Sequence, residues 1–330
     1  MTLPLAVSLG DPAGIGAEVI AKGWERRESH ALPPFFVVGE PAAIAAVWGG
    51  PVALIASPDE AASVFARALP VLRVGDGGTV EPGRPSVNGA RIALDSLELA
   101  VGLTRSGAAA AVVTGPVSKS QLYGIGFVHP GQTEFVAERC GIAADKVAMM
   151  LAGPTLRAVP VTTHIALADV PAALSAELIV ARGRTVIRAL RRQFGIARPR
   201  LAVAGLNPHA GEQGALGREE IALIAPAVAR LQAEEDADVF GPLAADTMFH
   251  ARARAGYDAA LCMYHDQALI PLKALHFDEG VNITLGLPIV RTSPDHGTAF
   301  DIAGRNAAAP DATIAAIALA ASCARRLAAA

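Results

Sequence analysis

The chain has 330 residues, of which 52% are hydrophobic and 5% aromatic, and its formal net charge is −3. This length and apolar fraction suffice for one large domain or two ordinary ones, and they exclude a disordered chain. The small net charge, with no block of Lys or Arg, excludes a protein that binds nucleic acid through its charge. The three cysteines suggest neither a disulfide framework nor a thiolate zinc site, and they fit a reducing cytoplasm, because they are far apart in the sequence: Cys140, Cys262 and Cys323.

Neither end of the sequence predicts an export signal or a membrane span. Leu3 to Leu9 is apolar but lacks a cationic region before it and runs straight into Gly10, so it predicts a first strand. Thr313 to Ala324 is apolar for only about a dozen residues, which is too short to cross a bilayer. It predicts an Ala-rich terminal helix, and we expect no membrane partner.

Apolar runs of strand length alternate with helical stretches, which predicts an α/β fold with a mainly parallel sheet covered on both faces. Strands are expected at Leu5–Ser8, Phe35–Val38, Ala53–Ile55, Ala111–Thr114, Val147–Leu151, Arg157–Pro160, Leu201–Gly205 and Ala259–Met263. Helices are expected at Glu18–Arg27, Ile92–Ser106, Thr133–Cys140, Ala176–Phe194, Glu219–Glu235 and Thr247–Ala255. There is no internal repeat, and no linker marks a domain boundary.

Three loops in the first part of the chain have distinctive compositions. Gly10–Gly16 is a Gly-rich turn that lets a ligand approach backbone N–H groups at a helix N-terminus. Its spacing fails the G-x-G-x-x-G fingerprint of dinucleotide binding, so a structural turn fits equally well. Gly75–Gly89 predicts a surface loop or hinge, with Asn88 opening the next helix. Thr114–Lys119 predicts either a second polar ligand loop or a turn with an exposed lysine.

Three histidines lie just past predicted strands or in tight polar turns: His164, His209 and His265. Ligands of open α/β sheets gather at the carboxyl ends of strands, so side chains far apart in sequence can converge there. Three neutral imidazoles suit Zn²⁺ or a similar ion and leave a position open for substrate oxygens. Each alone fits a structural histidine better, but the three in matching contexts predict a metal site.

Two carboxylates accompany these histidines. Asp266 is the neighbour of His265, and Asp246 precedes a predicted helix. Either one can orient a ligating imidazole or act as a general base. Asp246 fits the N-cap of that helix equally well.

A cation, an amide and a guanidinium are spaced along the stretch from Leu272 to Pro294: Lys273, Asn282 and Arg291. An isolated charge there would be an ordinary solvated side chain. Together the three predict an anion site, because Arg binds phosphate or carboxylate as a fork and Lys binds it as a point charge.

A Gly-bearing loop ending at Gly304 begins with Asp295, His296, Gly297 and Thr298. It resembles the adenosine-binding loop of the isocitrate and isopropylmalate dehydrogenases, which bind NAD(P) without the Rossmann fingerprint. The resemblance implies a two-lobed α/β/α fold with an active-site cleft between the lobes. We expect residues 1–125 with 300–330 to form the first lobe, and residues 126–299 to form the second, which carries most metal and substrate residues.

Five motifs in this order resemble the PdxA family, the 4-hydroxythreonine-4-phosphate dehydrogenases of pyridoxal phosphate biosynthesis. The resemblance runs nearly end to end, and motifs of this length are very specific. They are Gly10-x-Pro12-Ala13-Gly14-Ile15-Gly16, Thr114-Gly115-Pro116-Val117-x-Lys119, Gly205-Leu206-Asn207-Pro208-His209-Ala210-Gly211-Glu212, Met263-Tyr264-His265-Asp266-Gln267, and Gly280-Val281-Asn282-Ile283-Thr284-Leu285-Gly286-Leu287-Pro288 with Arg291-Thr292-Ser293.

The resemblance implies that the three histidines bind one divalent ion, Zn²⁺, Mg²⁺ or Co²⁺, in a site shared across a homodimer interface. It implies substrate contacts from Lys273, Asn282 and Arg291, joined by Gln132 and Thr133. Typical members of the family carry His at the position of Gln132. Gln can hydrogen-bond a phosphate or hydroxyl but cannot become a cation, so this departure bears on the substrate.

The implied activity is the NAD- or NADP-dependent oxidation of a small phosphorylated hydroxy acid, 4-phosphohydroxy-L-threonine. Loss of CO₂ then gives 3-amino-2-oxopropyl phosphate. Asp246, Asp266 or a metal-bound water is the candidate base that takes the hydroxyl proton. Dehydrogenases of threonate or erythronate 4-phosphate, or of an aromatic cis-dihydrodiol dicarboxylate, share the scaffold and remain alternatives. Two more distant alternatives are a phosphate acyltransferase-like enzyme and a metal-dependent hydrolase. The three histidines argue against the acyltransferase, and the NAD-type loop argues against the hydrolase.

Overall fold

The computed structural model describes residues 3–75 and 80–329, so part of the predicted loop at 75–89 lies outside the described residues. The chain divides into two compact units. Unit 1 contains Met1–Ile142 and Leu287–Arg325, and unit 2 contains Ala143–Gly286 and Arg326–Ala330. The return of the chain to the first unit therefore begins before the cofactor loop predicted at 295–298.

The strands within the described residues are β1 Leu5–Ser8, β2 Phe35–Gly39, β3 Val52–Ile55, β4 Leu69–Arg73, β5 Val112–Thr114, β6 Ala148–Ala152, β7 Arg157–Pro160, β8 Arg200–Ala204, β9 Asp238–Leu243, β10 Ala259–Cys262, β11 Val281–Leu285 and β12 Arg291–Pro294. All eight strands expected from the sequence are present, to within a residue or so at each end.

The α-helices are α1 Gly16–Glu25, α2 Pro41–Ala45, α3 Ala61–Val64, α4 Val87–Arg105, α5 Lys119–Tyr123, α6 Gln132–Arg139, α7 Val170–Ala173, α8 Ala176–Arg192, α9 Ala225–Glu234, α10 Ala245–Met248, α11 Ala251–Arg254, α12 His265–His276 and α13 Asp311–Ala329. Shorter helical segments are Pro58–Glu60, Ala144–Lys146, Leu167–Asp169, Pro208–Gly214 and the π-helical turn Glu220–Ile224. The helix expected at Thr247–Ala255 is interrupted, because α10 ends at Met248 and α11 starts at Ala251.

In unit 1 the strand order is β3-β4-β2-β1-β5-β12, and every pair is parallel. Every residue of β1 and β2 is buried, as in a parallel sheet covered by helices on both faces. The predicted mainly parallel sheet is confirmed in this unit.

In unit 2 the order is β11-β6-β7-β10-β8-β9. The strands β7, β10, β8 and β9 are parallel, whereas β11 and β7 both pair with β6 in the antiparallel direction. The strands of unit 2 are therefore mixed in direction, because β6 and β7 are joined by a hairpin at 153–156 rather than by a crossover helix.

Two of the long helices, α4 and α8, begin at serine caps. Ser86 Oγ accepts from Gly89 N at 3.0 Å at the start of α4, and Ser175 Oγ accepts from Leu178 N at 3.1 Å at the start of α8. The expectation that Asn88 opens the first of these helices is wrong. Ser86 caps α4 instead, because its hydroxyl accepts from the backbone amide of Gly89.

The terminal helix α13 is the one described helix that is long and apolar enough, by length and composition alone, to cross a membrane. It is longer than the apolar stretch expected at 313–324, because it continues through the exposed Arg325 and Arg326. Its apolar face is buried, and Thr292 Oγ1 on β12 donates to Ala316 O at 2.9 Å. These contacts are those of a core helix of unit 1.

Candidate functional site

Three adjacent parallel strands of unit 2 lead to the three histidines. His164 lies four residues beyond β7, His265 starts α12 three residues beyond β10, and His209 lies five residues beyond β8. All three therefore follow carboxyl ends at the same edge of the sheet, where α/β enzymes place their ligands.

His164 and His265 lie together, with their ring centroids 5.5 Å apart. Both rings line a cavity of about 200 Å³, which Thr162, Tyr264 and Asp266 also line. Asp266 Oδ1 lies 2.8 Å from Nδ1 of His265. With the carboxylate accepting from Nδ1–H, the Nε2 lone pair of His265 is left for a ligand, which is how carboxylates orient metal-binding imidazoles.

Within residues 3–75 and 80–329, no three His, Cys, Asp or Glu side chains are grouped so as to hold a metal ion. The two imidazoles in contact fit two positions of a borderline ion such as Zn²⁺, which prefers nitrogen donors. His209 does not line their cavity. One chain thus brings together two of the three predicted ligands.

The exposed side chain of His209 projects from an unusual backbone segment, called here the His209 turn, residues 209–213. All five residues have left-handed φ values of 42–76°. Only Gly211 among them adopts this conformation without a steric penalty, which is roughly 1–2 kcal/mol for each other residue. Surrounding contacts must therefore hold the turn in place.

Hydrogen bonds join the ends of the three histidine-bearing strands. The buried side chain of Gln267 accepts from Met263 N at 2.7 Å and donates to Gly205 O at 2.7 Å, which links the ends of β10 and β8. Thr162 Oγ1 donates to Met263 O at 2.8 Å, which links β7 to β10. The backbone segments that lead to His164, His209 and His265 are therefore fixed relative to one another.

The two predicted catalytic carboxylates occupy different settings. Asp266 lies in the first turn of α12 beside the histidine pair. Asp246 is exposed in the first turn of α10. The alternative role of Asp246 as a helix N-cap is wrong, because Ala244 holds that position.

Arg291 is the centre of a second polar cluster, which lies in unit 1. It starts β12 beside β5, and its side chain is only 4% exposed. Its Nη2 donates to Thr114 Oγ1 at 2.7 Å and to Gln132 Oε1 at 3.1 Å. Burial lowers the pKa of Arg291 to about 10, although Glu134 acts to raise it, so the guanidinium is cationic at neutral pH.

The side-chain amide of Gln132 is held at both ends. Besides accepting from Arg291, it donates from Nε2 to Gly115 O at 3.0 Å. Gln132 and Thr133 are the first two residues of α6, so their backbone N–H groups face the start of that helix. Unit 1 therefore contains three of the predicted substrate residues, and two of them are in direct contact.

The other predicted substrate residues, Lys273 and Asn282, lie in unit 2. Asn282 is on β11, and its Oδ1 is buried without a hydrogen-bond partner among the described residues. Lys273 is half-buried on α12, which is not among the helices expected from the sequence. The helix was missed because Pro271 interrupts its helical pattern.

The predicted cofactor loop packs against the Gly-rich turn at 10–16. Ile15 N donates to Thr298 O at 2.9 Å, and a side chain at Gly14 would lie 2.9 Å from the same oxygen. His296 Nδ1 lies 3.1 Å from Gly297 O. Burial lowers the pKa of His296, which keeps the ring neutral near pH 7.

Two α/β units with clusters of polar side chains near strand ends are typical of α/β enzymes, which place their sites there. The comparisons with known proteins identify the family. Residues 32–320 match the family model described as pyridoxal phosphate biosynthetic protein PdxA, and the chain belongs to this family. The predicted α/β class and the resemblance seen in the sequence motifs are thereby confirmed.

The relatives match along almost the whole chain. The 4-hydroxythreonine-4-phosphate dehydrogenase of Zymomonas mobilis is 57% identical over 319 residues, covering 97% of this chain and 95% of that one. The structure of the Klebsiella pneumoniae protein of the same name is 37% identical, with a TM-score of 0.86 and 98% of both chains covered. A terephthalate 1,2-cis-dihydrodiol dehydrogenase from Burkholderia xenovorans is 28% identical, with a TM-score of 0.67 and 98% of both chains covered.

The sequence analysis missed the side chains that support the predicted site. Gln267 belongs to a quoted motif but was given no role, and Thr114 was considered only as part of a loop. The signal that could have found Gln267 is its place in the first turn of a helix directly after a buried strand, where a polar side chain can reach neighbouring strand ends.

Proposed function

We propose that this chain is an NAD-dependent dehydrogenase that oxidises 4-phosphohydroxy-L-threonine in pyridoxal 5'-phosphate biosynthesis. The observation that carries the proposal is the 57% identity, over nearly the full length, to a protein with that name. Hydride leaves C3 of the substrate for NAD⁺, the hydroxyl proton goes to a base, and the resulting 3-keto acid loses its carboxyl group as CO₂. The product is 3-amino-2-oxopropyl phosphate.

A divalent ion is proposed to bind His164, His209 and His265. Such an ion, Zn²⁺, Mg²⁺ or Co²⁺, would lower the pKa of the substrate hydroxyl and polarise the carbonyl that forms. The 5.5 Å spacing of two of the imidazole rings supports their role as ligands. Asp266 orients His265, and either Asp266 or Asp246 takes the hydroxyl proton.

A homodimer with the active site at the subunit interface is part of the proposal. The described residues of one chain group only two of the three imidazoles, whereas His209 is exposed on its turn. A second copy of the chain would complete the ligand set, because each interface of a twofold dimer presents the same residues twice. We place the enzyme in the cytoplasm, where its cofactor is available.

The substrate's phosphate and carboxylate are proposed to bind Arg291 and Lys273, with neutral hydrogen bonds from Gln132, Thr133 and Asn282. The buried guanidinium supports this role, since a bound anion offsets the cost of burying a cation. The buried Oδ1 of Asn282 supports a hydrogen bond from a bound ligand.

NAD or NADP is proposed to bind the loop Asp295, His296, Gly297 and Thr298. The hydrogen bond between Ile15 and Thr298 supports a single cofactor-binding surface formed by this loop and the Gly-rich turn at 10–16. Gly14 has no Cβ atom, which allows this close approach of the two segments, since a Cβ there would lie 2.9 Å from Thr298 O.

A spectrophotometric NADH assay tests the proposed function. The metal-loaded protein is given 4-phosphohydroxy-L-threonine, threonate 4-phosphate, erythronate 4-phosphate or an unphosphorylated aromatic cis-dihydrodiol dicarboxylate. We expect the highest kcat/KM on the first substrate. A clear preference for the dicarboxylate would contradict the proposal. That substrate is the second candidate because a 28% identical relative is a terephthalate dihydrodiol dehydrogenase.

A further inference from the structure

Glu220 is a buried carboxylate, 3% exposed, at the start of the π-helical turn that follows the His209 turn. Its Oε1 accepts from Leu206 N and Asn207 N, both at 2.8 Å. Its Oε2 accepts from Asn207 Nδ2 at 3.0 Å. All three donors lie in the short segment between β8 and His209.

The His209 turn also packs closely around this carboxylate. A Cβ atom added at Gly211 would lie 2.5 Å from Glu220 Oε2, and one at Gly205 would lie 3.1 Å from Glu220 Oε1. Glu219 adds a bond on the outer side, where its Oε2 accepts from Asn207 Nδ2 at 2.7 Å. The carboxylate of Glu220 therefore lies between the two ends of the segment that carries His209.

The hydrogen bonds keep Glu220 ionised. Burial alone would raise its pKa, but the side-chain bond from Asn207 and the backbone bonds from Asn207 and Leu206 lower it below the ordinary value. Bonds to an ionised acceptor are stronger than neutral ones, so they can hold a left-handed backbone that is otherwise unfavourable.

We propose that Glu220 is a positioning residue: its carboxylate holds the segment 205–213 in the conformation that presents the imidazole of His209 to the metal ion. The inference rests on the proposed metal-binding role of that histidine. Glu220 touches neither substrate nor ion, and it acts through the backbone of the turn.

The test uses the full-length protein stripped of metal and titrated with Co²⁺ alone, followed by the visible absorption of the bound ion. Glu220→Gln keeps the shape but replaces one carboxylate oxygen by an NH₂ donor, so the amide cannot accept both from the backbone N–H groups of Leu206 and Asn207 and from Asn207 Nδ2. We expect the Kd for Co²⁺ to rise about ten- to hundredfold, as for other supports of metal ligands. Activity should recover partly at saturating Co²⁺, whereas removal of a catalytic group would not respond to metal.

Glu18→Gln is the matched control, since Glu18 is also buried, 2% exposed, and its Oε1 accepts from Ala308 N at 2.9 Å in unit 1. It should bind Co²⁺ like the wild type. If Glu220→Gln also binds Co²⁺ like the wild type, the inference is overturned. If the wild type itself binds no Co²⁺, the proposed metal site fails instead.

Thermal unfolding of the metal-free proteins shows whether Glu220→Gln still folds. If it does not, Asn207→Ala takes its place, because it removes the side-chain bonds to Glu219 and Glu220 and leaves the backbone bonds intact. A severalfold rise in the Kd for Co²⁺ supports the inference, and an unchanged Kd overturns it.

Discussion

Arg291 carries the charge of the unit 1 cluster, and its fixed partners determine how it can bind an anion. Thr114 and Gln132 both accept from Nη2, which sets the plane of the guanidinium. Arg291→Lys keeps the charge but loses the planar fork, so kcat/KM for 4-phosphohydroxy-L-threonine should fall about ten- to more than hundredfold. Steady-state kinetics measures this, with thermal unfolding as the check on folding. Unchanged kinetics would remove Arg291 from the substrate site.

Gln132 supports Arg291 through a neutral amide that has one donor and one acceptor in use. Gln132→Ala removes a charge-assisted hydrogen bond from the guanidinium, so we expect kcat/KM to fall about ten- to hundredfold. Gln132→His should stay near the wild type at pH 8, because a neutral imidazole also has one donor and one acceptor. If the wild type instead oxidises an unphosphorylated diol and Gln132→His abolishes that activity, Gln132 determines specificity for a different substrate.

The capping of α4 tests the structure at the level of an element. Ser86→Ala removes the hydrogen bond to Gly89 N and should lower the free energy of unfolding by about 1 kcal/mol. Asn88→Ala is the matched control: the side chain is exposed inside the first turn, and Ala is the better helix former, so stability should stay the same or rise slightly. Urea unfolding of both variants measures these free energies. If Asn88→Ala lowered the free energy of unfolding and Ser86→Ala did not, Asn88 would be the cap of the helix.

The elements that sequence patterns predicted are those with uninterrupted apolar runs. β1 and β2 were found because all their residues are buried. β4 and β9 were missed because each has a proline inside it, which argues against a strand. β11 and β12 were missed because polar residues interrupt their apolar runs. The antiparallel pairing of β6 was missed for another reason: strand direction depends on the partners that tertiary packing supplies.

In the candidate site, local sequence patterns indicated some residues, whereas others depend on tertiary contacts. The three histidines could be proposed from the sequence because each follows a strand at a recognisable position. The left-handed turn at His209 could not be predicted, because four of its five residues are not glycine and disfavour that conformation. Its supports, Glu220 and Asn207, act through contacts that no local sequence pattern encodes.

At the scale of the whole molecule, the proposed dimer predicts that two inactive variants can restore each other. His164→Ala and His209→Ala proteins are mixed and allowed to exchange subunits. If His209 completes a site on the partner subunit, half of the dimers are hybrids with one intact site, and about a quarter of the wild-type activity should return. Each variant alone and a mixture kept from exchanging are the controls. No recovery despite exchange would place all three ligands in one chain.

Metal-dependent oxidative decarboxylation of 4-phosphohydroxy-L-threonine forms one NADH for each CO₂, so this ratio tests the proposed function. The wild-type enzyme, stripped of metal and then reloaded, is given this substrate with NAD⁺, and NADH and CO₂ are measured together. We expect equal amounts of NADH and CO₂ after reloading, and neither before reloading nor with His209→Ala. NADH formed at the same rate by the stripped enzyme, or NADH without CO₂, would contradict the proposed function.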